Sequence, residues 1–275
     1  MLHEIEELIS FVKEDAPFGD LTSDAVIQNE EEDCRAEIIA KENGVIAGIP
    51  EVTALLSYYG ISYNQHVKNG QKISEGTVII ELQGNPRTIL LLERTMLNVL
   101  ERMNGIATAT RAAVEAAAAI NPDIRIAATR KTAPGLRRLD KKAVIVGGGD
   151  PHRWSLSDAI LIKDNHLALV PLEKAIRRAK ASSAYHTVEV EVVNEQDALT
   201  AAKNGADIIM LDNMGIEEIK SAIELLRREG VRDDVKIEVS GNITSSTVAE
   251  YAASGVDIIS MGSLTHSVKA LDLSL

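Results

Sequence analysis

The sequence predicts an α/β protein, an incomplete and irregular βα barrel preceded by a smaller sheet-containing domain. Three features lead there. From about residue 124 onward, apolar strand-type runs alternate with helical stretches, the rhythm of a parallel sheet or barrel. Each run ends in polar or small residues, as strands do when their C-terminal ends converge on one barrel mouth; in a doubly wound sheet those ends are spread along an edge. Residues 35–84 instead hold short β-type runs separated by glycine turns, the pattern of a separate small sheet.

Taken in chain order, MLHEIEELISFVKED has Leu2, Ile5, Leu8, Ile9 and Val12 at the spacing of an amphipathic helix. It is acidic where a signal peptide is basic, so no targeting or transmembrane segment is expected. RAEIIAKENGVIAGIP and VKNGQKISEGTVIIELQG then form the small sheet, with turns at Gly70, Gly76 and Gly84. Lys41, Lys68 and Lys72 do not sit at a hairpin tip of the kind that carries biotin or lipoate. From Arg87 to about Ile120 the chain is rich in Leu, Ala, Glu, Met and Arg, with Gly105 as the one clear breaker, which predicts two helices or one bent one bridging two domains. The domains expected are residues 1–105 and 106–275, with a C-terminal tail that can pack back on the first.

Six strand runs follow: IRIAAT, AILIK, VEVEVV, DIIMLD, KIEVS and DIISMG, separated by helical stretches such as 171–182, 195–204, 215–229 and 244–254. Six is fewer than the eight of a closed barrel, hence the expectation of incomplete closure.

Composition narrows the function. At 275 residues and 45% hydrophobic content the chain can bury a substantial core. A formal net charge of −12 argues against nucleic acid or anionic membrane, because neither tolerates a large negative field without a strong compensating patch. The single cysteine, Cys34, excludes an internal disulfide and a multi-cysteine metal site, and fits a cytoplasmic, reducing setting.

Against that acidity, TRKTAPGLRRLDKKAVIVGGGDPHR is conspicuously basic. Arg130, Lys131, His152, Arg153 and Lys163 would gather at the mouth and repel one another when it is empty, so they call for anions, and several of them for a substrate with more than one acidic group. Arg137, Arg138, Lys141 and Lys142 read instead as a solvated helix face or loop. In VEVEV the period of two turns Glu189 and Glu191 to the same inner face. Glu191, nearer the strand end, can reach substrate, and Glu189 reads as a structural partner for a buried cation. Asp212 can join Glu191 around a sugar hydroxyl or a phosphate-held magnesium ion, or make a structural ion pair. VSGNI and SMGSLTHS set Ser240, Gly241, Asn242, Gly262 and Ser263 at turns before helical sequence, where backbone N–H groups bind phosphate.

TRKTAPGLR, GGGDPHR, DAILIKDNH, VEVEV, IIMLDNM, VSGNI and MGSLTHS, in this order, resemble the quinolinate phosphoribosyltransferase family, the carboxylating nicotinate-nucleotide pyrophosphorylases. APFGDLTSD and LLERTMLNVLERMNGIAT extend the likeness over nearly the whole chain. The resemblance implies an N-terminal α+β open-sandwich domain, an incomplete α/β barrel, and a homodimer, or a higher oligomer, in which one subunit's N-terminal domain caps the other's barrel. It implies transfer of phosphoribose from phosphoribosyl pyrophosphate (PRPP) to quinolinate, giving nicotinate mononucleotide, pyrophosphate and carbon dioxide in cytoplasmic NAD biosynthesis. Quinolinate would be held by Arg130, Lys131, His152, Arg153 and Lys163, with Arg94 supplied by the partner. PRPP would be held by Glu191, Asp212, Ser240, Gly241, Asn242, Gly262, Ser263 and His266. Lys131, Lys163, Glu191 and Asp212 would be the catalytic set, and Mg²⁺ would arrive with PRPP near Glu191 and Asp212, with no residue assigned as a direct ligand.

One departure is GGGDPHR, where many members have Asn before the HR pair. Some relatives associated with molybdate transport share PHR but lack the lysine of IKDNH, which leaves a non-catalytic, anion-binding accessory protein as one alternative. Another is a barrel aldolase using Lys163 as a Schiff-base amine.

Overall fold

The computed structural model describes residues 2–27 and 32–275. Two compact units emerge, Met1–Thr108 with Val268–Leu275, and Ala109–Ser267. Among the described residues no helix is long and apolar enough to cross a membrane.

The first unit begins with α1 (Leu2–Asp15), which buries Leu8 and Val12, and α2 (Leu21–Val26), capped by the Asp20 carboxylate accepting from the backbone N–H groups of Thr22 and Ser23. Next come β1 (Cys34–Ala40), β2 (Gly44–Val45), α3 (Ile49–Tyr58), β3 (Ser62–Gln65), β4 (Lys72–Ile73) and β5 (Val78–Gly84). β1 lies between β5 and the C-terminal strand Leu273–Ser274 in an antiparallel sheet that β3 completes, while β2 and β4 form a separate ribbon. Ile38, Ala40, Ile80 and Leu82, two apart on paired strands, are buried. Helix α3 lies where the sequence suggests only strands and turns. Its buried face is Ile49, Val52, Leu55 and Leu56, Pro50 fits its first turn, and Gly48 enters it in the left-handed conformation at φ 95°.

Helix α4 runs unbroken over Pro86–Ala118, so Gly105 does not divide it. The reason for glycine is proximity: a Cβ at Gly105 would lie 2.1 Å from the Lys269 carbonyl oxygen of the C-terminal segment. Close approach of backbone, rather than a helix break, is what the residue provides.

The second unit contains β6 (Arg125–Ala127), α5 (Arg137–Gly147), β7 (Ile160–Ile162), α6 (Asp164–Leu167), α7 (Leu172–Ser182), β8 (Val188–Val192) and α8 (Glu195–Lys203). It continues through β9 (Ile208–Asp212), α9 (Ile216–Arg228), β10 (Lys236–Ser240), α10 (Val248–Ala252), β11 (Ile258–Ser260) and α11 (Ser263–His266). All six apolar runs are strands, joined by parallel ladders in the order β6-β11-β10-β9-β8-β7. Among the described residues no ladder closes β7 onto β6; Ala127 instead makes an isolated parallel bridge to Asp150. The outward residues of the strands, Val188, Val190, Ile209, Leu211, Ile237 and Val239, form one buried core with Ala198, Ala201, Ile219, Ile223 and Leu226 of α8 and α9. Burial of each large side chain contributes about 1.5–3 kcal/mol and fixes which face of every strand points inward.

Candidate active site

Strand register decides which inward side chains meet. Glu191 on β8, Met210 on β9 and Glu238 on β10 are paired in register, with Asp212 and Ser240 paired one inward step nearer the strand ends. All five line a cavity of about 700 Å³, large enough for two small anionic substrates.

The cations come from three loops on the same cavity. Arg130 and Lys131 follow β6, His152 and Arg153 follow the Asp150 bridge, and Lys163 follows β7. The Nε atoms of Arg130 and Arg153 are buried with no hydrogen-bond partner among the described residues. Burial and the neighbouring Arg130 both disfavour the charge on Arg153, which is the electrostatic condition of a site that gains by taking an anion. Lys163 Nζ lies 2.5 Å from Glu191 Oε2, and the Lys163 backbone N–H donates to His166 Nδ1 at 3.0 Å.

Three residues other than glycine adopt positive φ among the described residues, His152 at 54°, Asn213 at 54° and Asn242 at 50°, and all three line the cavity. Backbone strain of this kind persists where the surroundings over-determine it, commonly at ligand sites. Asn213 Nδ2 donates to Asp212 Oδ2 at 2.6 Å. Gly241, at φ 109°, backs directly onto it: a Cβ there would sit 2.3 Å from Asn213 Oδ1. Glycine is thus required for conformation and for space.

The basic stripe on α5 corrects the expectation of a solvated face. Lys141 is fully buried; its ammonium donates to the carbonyl of Pro151 and, at 2.9 Å, to that of Arg153. Arg137 donates to Thr132 Oγ1 at 3.1 Å and to the Trp154 carbonyl at 3.3 Å, and Arg137, Arg138 and Lys142 are half-buried. Lys141 and Arg137 thus hold the loop that presents His152 and Arg153. Asp150 secures its start, accepting from the His152 backbone N–H at 2.8 Å and pairing with Arg125 at 3.0 Å.

Deeper in the barrel, Glu189 partners His152, with His152 Nε2 and Glu189 Oε2 3.1 Å apart. Burial opposes the charge on His152, but the hydrogen bond to Glu189 and the charges of Glu238 and Glu189 outweigh it and hold the imidazole above its ordinary pKa. Glu238, also buried, was not singled out by the sequence reading, although the period of two in KIEVS aligns it with Ser240. Thr129, Asn165, Asn213 and Ser260 line the cavity as well.

Not every expected residue lies on the cavity wall. Gly262 borders it, since a Cβ there would meet Lys131 Cδ and His266 Cδ2, each at 3.1 Å. Ser263 begins α11, and Thr265 Oγ1 donates to the Lys131 carbonyl at 2.9 Å, fixing that helix beside Lys131. Arg94 is exposed on α4 and does not line the cavity.

Residues 106–275 match the family model "Quinolinate phosphoribosyl transferase, C-terminal domain", and residues 20–104 the corresponding N-terminal domain. A protein of Methanothermobacter thermautotrophicus named probable nicotinate-nucleotide pyrophosphorylase [carboxylating] is 43% identical over all of this chain and 98% of its own length. A protein of the same name from Archaeoglobus fulgidus is 46% identical over 94% of this chain and 98% of its own. The solved structure of the nicotinate-nucleotide pyrophosphorylase from Francisella tularensis superposes with a TM-score of 0.91 at 36% identity, covering 98% of this chain and 94% of that one.

Proposed function

The chain belongs to the quinolinate phosphoribosyltransferase family, and from that premise we propose how its barrel mouth carries out the reaction. The reaction is transfer of phosphoribose from PRPP to quinolinate with decarboxylation, a step of NAD biosynthesis that yields nicotinate mononucleotide, pyrophosphate and carbon dioxide.

The observation that carries the assignment is the crowding of Arg130, Lys131, His152, Arg153 and Lys163 on one cavity, with the guanidinium Nε atoms of both arginines unpaired. A dicarboxylate satisfies several of these donors at once. Arg130 and Arg153 can each take a carboxylate through two parallel hydrogen bonds, and His152 and Lys163 add charge at single points. Quinolinate so held presents its ring nitrogen toward Glu191 and Asp212, which stabilise the positive charge that develops on the ribose as pyrophosphate leaves. Ser240, Gly241 and Asn242 receive the 5′-phosphate through backbone N–H groups, with Gly262, Ser263 and His266 completing that side around Lys131. Once the ring nitrogen is ribosylated, the adjacent carboxylate departs as carbon dioxide because the pyridinium stabilises the electron pair left behind.

The oxygen donors present fit Mg²⁺. Glu191 and Asp212 would be the carboxylates nearest the ion, with water and substrate phosphates supplying the remaining ligands. Bound there, it would neutralise charge on the departing pyrophosphate. The ion pair of Lys163 with Glu191 disfavours the aldolase alternative, because a Schiff-base lysine must present an uncharged amine and Lys163 is occupied by a carboxylate.

A homodimer with shared sites accounts for Arg94, whose exposed position on α4 suits a role in the partner's quinolinate pocket. A cytoplasmic location accords with the single unpaired Cys34. Incubation with quinolinate, PRPP and Mg²⁺ should give nicotinate mononucleotide; quinolinate binding without pyrophosphate release would favour the accessory-protein alternative.

A further inference from the structure

Glu189, Glu238 and His152 each bring one potential donor atom to within 4.8 Å of the others. Glu189 and Glu238 are 3% and 0% exposed. One side of the group is bonded: His152 Nε2 to Glu189, and Ser260 Oγ to Glu238 Oε1. The remaining polar atoms, His152 Nδ1, Glu189 Oε1 and Glu238 Oε2, are buried without a hydrogen-bond partner among the described residues. Two buried carboxylates this close disfavour charge on both at once. Burial, reinforced by Glu189, pushes Glu238 up to about 7. The other charges nearby are Arg130 and Arg153 on the cavity wall, Lys141 beneath the loop, Asp150 at its start, and Lys163 tied to Glu191.

The reaction needs a proton at this place. When carbon dioxide leaves, the ring carbon next to the ribosylated nitrogen keeps the bonding electron pair and must be protonated. Guanidinium groups do not release protons, Lys163 is committed to Glu191, and Lys131 lies beside Gly262 and His266 on the phosphate side. Resting on the assignment of the cavity to quinolinate, we propose that His152 is the general acid that protonates this carbon, with Glu189 and Glu238 as positioning residues that share one proton and set its acidity. The carbon–carboxylate bond breaks, carbon dioxide departs without the bonding pair, and that pair takes the proton from His152 Nδ1. The imidazole is left neutral, still hydrogen-bonded through Nε2–H to Glu189, and regains a proton from water once product leaves. Two ionised carboxylates would hold the imidazolium too tightly to serve as an acid near neutral pH; one ionised and one protonated keep it charged yet able to give up its proton.

Single-turnover quench measurements on the full-length enzyme test this by following pyrophosphate and nicotinate mononucleotide separately. In wild type the two should appear in step. In His152→Asn, at saturating quinolinate, pyrophosphate should still be released while mononucleotide formation slows at least about tenfold and the ribosylated dicarboxylate accumulates. Products that stay in step in His152→Asn would overturn the role of His152. Glu189→Gln should move the high-pH limb of kcat downward by about one pH unit with little change in KM, and an unmoved limb would remove the positioning role. Should a variant not fold, the ¹⁵N-histidine titration of the wild-type protein still decides: His152 must be charged above the range of a free imidazole. A stoichiometric transition metal bound by wild type and lost in Glu238→Gln would contradict the proton-sharing arrangement. Absence of pyrophosphate from the wild type itself would overturn the parent assignment, a result distinct from all of these.

Discussion

Glu238 shows how one side chain couples the chemistry of the site to the stability of the barrel. Burial, and after it the nearby Glu189, pushes its carboxyl from an ordinary 4.5 up to about 7, so between those values the folded state keeps a proton that the unfolded state has lost. The sign follows: burial of Glu238 carries no pH-dependent penalty below about 4.5, an increasing one as pH rises, and the full one above about 7. Glu238→Gln removes that dependence, and its melting temperature should exceed that of wild type at pH 8 by more than at pH 5; equal differences at the two values would mean Glu238 is ionised throughout. At this scale the sequence was legible where an ionisable group follows an apolar strand, as with Arg130, Lys163, Glu191 and Asp212. It was not legible for Lys141, because four basic residues within six positions on a helix give the same stripe whether water or a loop covers it. Glu238 escaped for a related reason: a lone acidic residue in KIEVS does not reveal that the opposite wall supplies His152.

Among the elements, the six parallel strands follow from apolar runs bounded by polar ends, since burial on both faces leaves only those ends free to carry chemistry. Short amphipathic segments were harder, and α3 was hidden because four buried apolar residues amid glycine turns read equally as a strand. Of the two forms expected around Gly105, two helices or one bent one, the single helix is found; propensity reports the helix-breaking cost of glycine but not the approach of the Lys269 carbonyl, which is remote in sequence. Gly105→Ala should therefore destabilise the protein by about 1–3 kcal/mol despite alanine's better helix propensity. Denaturant unfolding checks the sign. A stabilised variant would show that the C-terminal segment yields without cost and that glycine is a mere helix defect.

For the whole molecule, the proposed dimer makes each site depend on two chains. Arg94→Ala and Lys163→Ala homodimers should both be nearly inactive, yet a hybrid concentrates both defects in one site and leaves the other intact. Random exchange in an equal mixture gives hybrids as about half of the dimers, so activity should return to about a quarter of wild type. Verified hybrids without recovery would keep Arg94 out of the partner's site. The central claim is that the cations of the mouth are there to read a second carboxylate, and the most direct measurement is the ratio of kcat/KM for quinolinate to that for nicotinate with PRPP and Mg²⁺. Nicotinate leaves several buried donors of Arg130, Arg153 and His152 unpaired, so the ratio should be at least about a thousand. Comparable specificity constants for the two acids would contradict the account.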